Sequence, residues 1–527
     1  MTSERTIRRG AVLVALGILA SRLMGLVRVK VVAHFLGADA AADAWQAAFK
    51  IPNFLQNLFG EGALSASFIP VYAGLLAQDD PEEADRVAGA VGGLLALGVS
   101  VLVLAGVLAT PLMIDLIVPG FTGEKRALTI QLVRIVFPGT GLLVLSAWCL
   151  GILNSHRRFF LSYAAPVLWN LAIISTLFLF GGRTGQPGLA MAAAWGSVAG
   201  SALQVLVQVP RVLRLVGSLR FSLDHTSAHV REVIRNFIPA FVSRGVVQIS
   251  AYVDVVLASP LPTGAVAHLA YAQTLYTLPV SLFGMSVSAA ELPTMSSALV
   301  SDEDVARQLR GRLESGIRRI AFFVVPSAVG FLVLGAVMAR VIFQSGRFSV
   351  ADSTTVWAIL AGASIGLLAT TQARLYSSAF YALRDTRTPL KFGVIRVALV
   401  TVLGYAAAFP LREALGIDGR WGPAGLTLAA GIAGWTEFLL LQRAMSRRIG
   451  RTGLLGAESA RLWGAAVVAA GASWCALTLL GEHQGMVASA IVLLVFAGAY
   501  LACAHLFRIP EAAAVVGRLR RPRPERG

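Results

Sequence analysis

Apolar runs of twenty or more residues recur along the chain, separated by short polar loops. Runs of that length with few charges read as membrane-spanning helices. The pattern predicts about fourteen spans: 10–36, 43–77, 87–114, 127–153, 160–180, 188–210, 232–258, 265–299, 317–343, 353–382, 389–410, 422–445, 460–480 and 485–507. Strand alternation of the outer-membrane barrel type is lacking, so the expected fold class is an all-α integral membrane protein. The second and eighth spans are long and carry Pro52 and Pro70, and Pro279 and Pro293. Both are expected to be bent or broken, which a membrane tolerates where the freed carbonyls line a cavity.

Composition agrees with this reading. Of 527 residues, 56% are hydrophobic and 14% charged, with mean hydropathy +0.72. A soluble chain of that make-up would lack polar surface. The net charge of +17 raises nucleic-acid binding as a function, but its distribution excludes it. Alternate loops hold 30 Lys/Arg on one side and 6 on the other, Lys125, Arg126, Arg183, Arg347, Arg412 and Arg420. That asymmetry is the positive-inside rule and places both termini in the cytoplasm. The first apolar segment runs on into Arg22 with no small-residue cleavage site, and reads as a retained helix. Cys149, Cys475 and Cys503 lie in apolar segments without a CxxC, and read as small core residues.

An internal repeat is visible. Ser21-Arg22 in the first span is echoed by Ser243-Arg244 in the seventh, and the turn after the fourth span, 153–158, by 382–387 after the tenth. Both halves enter from the same side, which makes a parallel repeat of two six-helix lobes, followed by a C-terminal helix pair. The expected divisions are an N-lobe at 1–215, a linker at 216–231, a C-lobe at 232–446, the last two spans at 447–507 and a basic tail at 508–527. Basic and apolar residues interleave in the linker, as on a segment lying against anionic lipid.

Candidate chemistry lies in the membrane. Charge at that depth is costly unless it faces water or a partner. Arg22 and Arg28 are six residues apart on the first span, about 600° of helical rotation, so they can border one cavity without touching. Asn53, Gln56 and Asn57 form one polar face on the second span, with Glu61 beyond. The competing reading is snorkelling plus pairing, for example of Arg28 or Lys50 with Glu61. In the second half the candidates are Arg244, Asp254, Gln273, Thr274, Glu291, Arg374 and Arg396. Asp254 and Glu291 are candidates for binding a coupling cation or proton, or for neutralising Arg396 or Arg244.

Catalytic and metal signals are weak. Gly362-Ala363-Ser364-Ile365-Gly366 matches GxSxG but lies inside an apolar span, where small residues let helices approach. His225 and His229 have i,i+4 spacing without a third ligand, and read as solvated. No cofactor, no metal and no enzymatic activity are expected.

The run ASRLMGLVRVKVVAHFLGADAAADAWQAAFKIPNFLQNLFGEGALSASFIPVYA strongly resembles the opening of the MurJ (MviN) family, the lipid II flippases of peptidoglycan synthesis. The likeness extends more loosely through the turn after the fourth span and FYALRDTRTPLK. It implies a fold of the larger group of multidrug antiporters and polysaccharide exporters (the MOP flippases), with a V-shaped cavity between spans 1–6 and 7–12. It implies a bacterial cytoplasmic membrane protein in cell-wall biogenesis and cell shape. Its substrate would be a lipid-linked glycan and its neighbours anionic lipids and cell-wall synthesis proteins. Transport would be coupled to membrane potential, H+ or Na+. Arg22 and Arg28 match the family's pyrophosphate-binding arginines, and Asp43, Asn53 and Glu61 fall on matching positions. Where the family usually places Arg, this chain has Gln56, and in place of an Asp-Arg pair it has Gln273-Thr274. Arg244 is the expected compensation. The alternatives are another polyprenyl-linked glycan, a multidrug or cation antiporter, and a non-transporting assembly partner.

Overall fold

The computed structural model describes residues 2–217, 219–249, 252–285, 302–453, 456–480 and 485–513. These residues are almost wholly helical and divide into two compact units. The first is Met1–Ala267 with the turn Ser345–Arg347; the second is His268–Gln344 with Phe348 onward.

The first unit contains α1 (Thr2–Leu36), α2 (Ala40–Leu58), α3 (Ser65–Ala77), α4 (Pro81–Ile117), α5 (Gly123–Ser155), α6 (Phe159–Ala164), α7 (Pro166–Phe180), α8 (Gln186–Leu215), α9 (Ala228–Ile249) and α10 (Val253–Ala258). From α11 (Ala265–Pro279) the chain passes into the second unit. There follow α12 (Asp302–Phe343), α13 (Val350–Ala382), α14 (Arg387–Ala408), α15 (Pro410–Ala414), α16 (Gly422–Ile449), α17 (Gly456–Leu479) and α18 (Met486–Leu506). Among the described residues, eleven helices are long and apolar enough to cross a membrane. The other three predicted spans, 10–36, 232–258 and 265–299, are largely helical where described. This is a multi-pass membrane protein.

The helices are built inside out relative to a soluble fold. On α4, Leu97, Val101, Leu104, Leu108, Leu112 and Leu116 recur at helical spacing and are 51–74% exposed. The first turns of the helix bury Ala84, Val87, Ala88 and Val91 in a cluster with Phe68, Tyr72 and Trp148. Small residues meet protein and large ones meet solvent, the pattern expected where the solvent is lipid. Helix starts are set locally. Asp80 accepts from Glu83 N–H before Pro81 opens α4, and Ser349 and Asp352 form a reciprocal capping box on α13.

The repeat is written into the packing. In the first unit α5 and α7 both pack on α8; in the second α13 and α14 both pack on α16. The turns after the fourth and tenth spans share a backbone. Arg157 and Arg384 both adopt the left-handed conformation, at φ 58° and 57°. Each turn closes with the same bonds, Arg158 N–H to Leu153 O and Asp385 N–H to Phe380 O. Spans two and eight share a second signature, a π-helical stretch at Phe59–Leu64 and at Val280–Met285.

That signature revises the proline expectation. Pro52 and Pro70 sit within α2 and α3, and the helix continues through both. The departure from α geometry is the π stretch between them, where an extra residue per turn redirects the carbonyl bonding. Pro293 lies outside the described residues.

The linker forms an extended strap. Ser222 N–H reaches Gly89 O on α4, and Asp224 accepts from Arg86 Nη2 at 2.7 Å. Phe221 and Leu223 are 62% and 55% exposed, with Arg220 exposed beside them.

Candidate functional site

Arg28 is half-buried on α1. Its Nε donates to Asn170 Oδ1 at 2.9 Å, and its guanidinium lies 4.8 Å from the Trp169 ring centroid. Both partners come from α7, which packs on α1. Asn170 is held in turn by its Nδ2 donating to Pro166 O at 3.0 Å. Trp169 packs edge-on to Phe49 of α2, and its Nε1 is buried without a hydrogen-bond partner. Among the described residues no carboxylate pairs with Arg28. A neutral amide and an aromatic face therefore position a guanidinium without cancelling its charge. The arrangement suits a planar, doubly hydrogen-bonded anion such as a phosphate.

Asp43, near the start of α2, is fully buried. Its Oδ1 accepts from Ala267 N–H at 2.8 Å, and its Oδ2 from Gly264 N–H at 2.8 Å and Lys125 Nζ at 2.5 Å. One backbone donor, Gly264, immediately precedes α11 and the other, Ala267, lies in its first turn, where unpaired N–H groups and the helix dipole favour an anion. The third is the first-turn lysine of α5, which also sits 4.0 Å from the Phe121 ring. One carboxylate thus ties together the starts of the second, fourth and eighth spans. Nearby, Arg347 Nη2 reaches Asp39 at 2.6 Å and Arg347 N–H donates to His34 O.

The remaining predicted residues are spread out. Arg22 is exposed on α1, and Arg28's contacts do not include it. Asn53 and Asn57 are exposed and Gln56 half-buried on α2, so the polar face exists as a surface. Thr274 donates to Ala270 O one turn earlier, and Gln273 is exposed with Nε2 on Thr277. Asp254 attracts Lys50 electrostatically, and Tyr252 beside it donates to Lys50 O at 2.7 Å. The side chains of Glu61 and Arg244, and the whole of Glu291, lie outside the described residues. Among the described residues Arg396 pairs with Glu437, at 3.5 Å.

Several of the residues that matter here were passed over in the sequence. Asn170 and Trp169 look like ordinary polar and aromatic members of an apolar span. Lys125 and Arg347 were counted only as outer-loop charges. Four of those six outer cations are neutralised, Lys125 by Asp43, Arg126 by Asp115, Arg347 by Asp39 and Arg412 by Glu413. Ser364 of the GxSxG match donates to Ala361 O, and Gly366 lies against the Gly431 backbone so closely that a Cβ would fall 2.3 Å from its Cα. The motif is a helix-packing device. His229 contacts Glu83 at 3.2 Å, and no metal-binding group of His, Cys, Asp and Glu occurs among the described residues.

Comparison with known proteins places this geometry. The family model of lipid II flippase MurJ matches residues 32–506. A probable lipid II flippase MurJ of Haemophilus influenzae is 31% identical over 443 residues, covering 81% of this chain and 84% of that protein. The lipid II flippase MurJ of Burkholderia cenocepacia is 31% identical over 475 residues, 87% of this chain and 88% of its own. Among solved structures, a lipid II flippase MurJ in an inward closed conformation superposes with TM-score 0.76 at 24% identity, covering 94% of this chain and 98% of that one. An inward-facing MATE-family multidrug resistance transporter of the MOP superfamily matches with TM-score 0.67 at 17% identity, covering 81% and 95%. The fold is thus shared across that superfamily, while the family match runs through the segments that carry Asp43, Lys125 and Trp169-Asn170: this chain belongs to the MurJ family of lipid II flippases.

Proposed function

We propose that this chain is a lipid II flippase. It carries the undecaprenyl-pyrophosphate-linked peptidoglycan precursor from the inner to the outer leaflet of the bacterial cytoplasmic membrane by alternating access. The observation that carries the proposal is Arg28, a guanidinium fixed on Asn170 and Trp169 within an apolar span and without a carboxylate among the described residues. A pyrophosphate supplies the missing charge, and the unpartnered Trp169 Nε1 offers a further donor. Arg22, Asn53, Gln56, Glu61, Arg244 and Thr274 complete the proposed binding set, with spans 1–6 and 7–12 as the moving halves.

Asp43 is the proposed gating group. Its bonds to Gly264, Ala267 and Lys125 hold one end of the first unit together, and exchanging the Lys125 ammonium or a proton at that carboxylate would release it. Membrane potential, H+ or Na+ is the proposed coupling source; moving one charge across 100 mV is worth about 2.3 kcal/mol. The charge bias supports cytoplasmic termini, and the exposed strap residues Arg220, Phe221 and Leu223 support contact with anionic lipid.

The test is complementation of a flippase-depleted strain, with mass spectrometry of co-purified lipid. Arg28→Ala is expected to insert normally, to lose lipid II from the purified protein and to fail to rescue growth. Full rescue by that variant overturns the assignment of Arg28. Co-purification of a different polyprenyl-linked glycan in place of lipid II overturns the substrate.

A further inference from the structure

We propose that the inner end of the second unit holds a binding site for a phosphate-bearing anion, built by Arg443, Arg447 and Arg451 with Arg310 close by. This site is independent of Arg28 and of the flippase assignment.

Two cavities lie there. One, of about 520 Å³, is lined by Arg307, Arg310, Gly311 and Glu314 of α12 and Ile449 of α16. The other, of about 400 Å³, is lined by Gln442, Arg443, Ser446 and Arg447 of α16 and by Arg451 and Thr452 beyond it. Gly450, between the residues that line them, would carry a Cβ 3.5 Å from Arg310 Nη1. Among the described lining residues the carboxylate is Glu314, which Arg310 contacts at 3.2 Å.

The cations converge because the chain turns back. Gln442, Arg443, Ser446 and Arg447 share one helix face by their i,i+4 spacing. Gly450, at φ 86°, then ends α16 in a conformation that glycine adopts without strain. The return brings Arg451 to the same rim and buries Thr452. The Thr452 hydroxyl bonds the Tyr376 hydroxyl at 2.9 Å, and its carbonyl accepts from Gln442 Nε2 at 2.9 Å. Ser446 Oγ lies 3.3 Å from the same Thr452 hydroxyl. A hydrogen-bonded polar floor therefore underlies charged walls.

Orientation by the positive-inside rule explains charge on this side, but not its arrangement. That rule needs only a count of Lys/Arg per loop. Elsewhere on the same side arginines are spent on carboxylates, Arg86 on Asp224 and Arg448 on Asp385. Arg443, Arg447 and Arg451 form no ion pair among the described residues. The C-terminal end of a helix disfavours an anion, and these cations outweigh it. Forked donors on several sides suit phosphate, whose oxygens accept from more than one guanidinium at once. The same chemistry is offered by a phospholipid headgroup and by a soluble phosphate compound.

The experiment separates these sources. Purified full-length protein in detergent, with Arg28→Ala throughout so that pyrophosphate reports on this site alone, is titrated with inorganic pyrophosphate by calorimetry. In parallel it is placed in nanodiscs of phosphatidylcholine with or without phosphatidylglycerol, and retained lipid is counted by native mass spectrometry. The triple variant Arg443→Gln, Arg447→Gln, Arg451→Gln is expected to weaken one of these tenfold or more. The control Arg183→Gln, Arg420→Gln, at exposed positions on the other side, is expected to leave both unchanged. Loss of pyrophosphate binding identifies a soluble ligand, and loss of phosphatidylglycerol alone identifies a headgroup. If the triple variant fails to fold, Arg451→Gln alone is used, with about threefold weakening expected. Retention of both probes within twofold by the variant tested, or binding of neither by the Arg28→Ala parent, overturns the proposal.

Discussion

Lys125 and Asp352, 227 residues apart, hold equivalent places in the repeat with opposite charge. Each stands in the first turn of its helix and reaches the span two before it, Lys125 Nζ to Asp43 at 2.5 Å and Asp352 Oδ1 to His268 Nε2 at 2.9 Å. Arg157 and Arg384 are separated by the same 227 residues and share a backbone conformation. The duplicated scaffold was kept while the polarity of the tie was exchanged.

The two ties are expected to differ in strength because they differ in burial. Asp43 is fully buried, so Lys125→Met leaves a buried carboxylate with only two backbone donors and is expected to cost about 3 kcal/mol. Asp43→Asn in the Lys125→Met background should recover part of that loss, since the stranded charge is gone. His268→Leu breaks a more accessible contact and should cost about 1 kcal/mol. Thermal unfolding of the purified variants in detergent ranks them, and equal losses from Lys125→Met and His268→Leu would contradict the argument.

Asn170 positions Arg28 without supplying charge. Asn170→Leu is expected to leave the fold intact and to weaken lipid II binding about tenfold, the scale of one hydrogen bond to a charged group, about 1.5–3 kcal/mol. Arg28→Lys should lose as much, because an ammonium keeps the charge but neither the Nε bond nor the guanidinium's contact with the Trp169 ring. Lipid II retained by each variant, measured by native mass spectrometry, checks both.

The Gly366–Gly431 approach carries a steric prediction. Gly366→Leu must push α13 from α16 and is expected to cost at least about 3 kcal/mol, seen as loss of folded protein in the membrane. Ser364→Ala, two residues away, removes only a bond to its own helix and should be neutral in stability and in complementation. Loss of function in Ser364→Ala with normal folding would favour a nucleophile after all.

Backbone strain at the repeated turn is also measurable. Arg384 holds φ 57°, which costs a non-glycine residue about 1 kcal/mol. Arg384→Gly is expected to raise stability by about that amount, less the entropy glycine loses on folding. An unchanged or lowered unfolding temperature would mean that the arginine side chain contributes more than its backbone costs.

Asp385 in the same turn sets an acid limit. Hydrogen bonds from the Thr388 backbone and hydroxyl, and from Arg448, hold its carboxyl below the usual 3.8. A depressed folded-state pKa stabilises fully above the unfolded value and is lost as pH falls through the folded one. Stability curves of the unaltered protein and Asp385→Asn are therefore expected to converge below about pH 4 and to separate above it. Parallel curves at all pH values would remove the carboxylate from the account.

Much of this was readable in order along the chain. Apolar runs at spanning length, the loop charge bias and the echo of 153–158 in 382–387 depend on local composition alone, and the described helices and turns follow them. The π stretch at Phe59–Leu64 was not readable, because the prolines nearby are a stronger local signal than the residues that shift register. Asn170 and Trp169 were not readable because an amide and an indole in an apolar span gain meaning only from what packs against them.

By itself, then, the sequence determined that this is a polytopic helical protein with a duplicated half, since lipid imposes length, hydropathy and charge bias on each segment independently of its neighbours. The tertiary structure alone decided which charges are spent and which are left. Lys125 and Asp43 are 82 residues apart and cancel, whereas Arg28 meets an amide from 142 residues away and, among the described residues, no carboxylate. Pairing depends on distances of a few ångströms between helices, and no pattern within one helix encodes them.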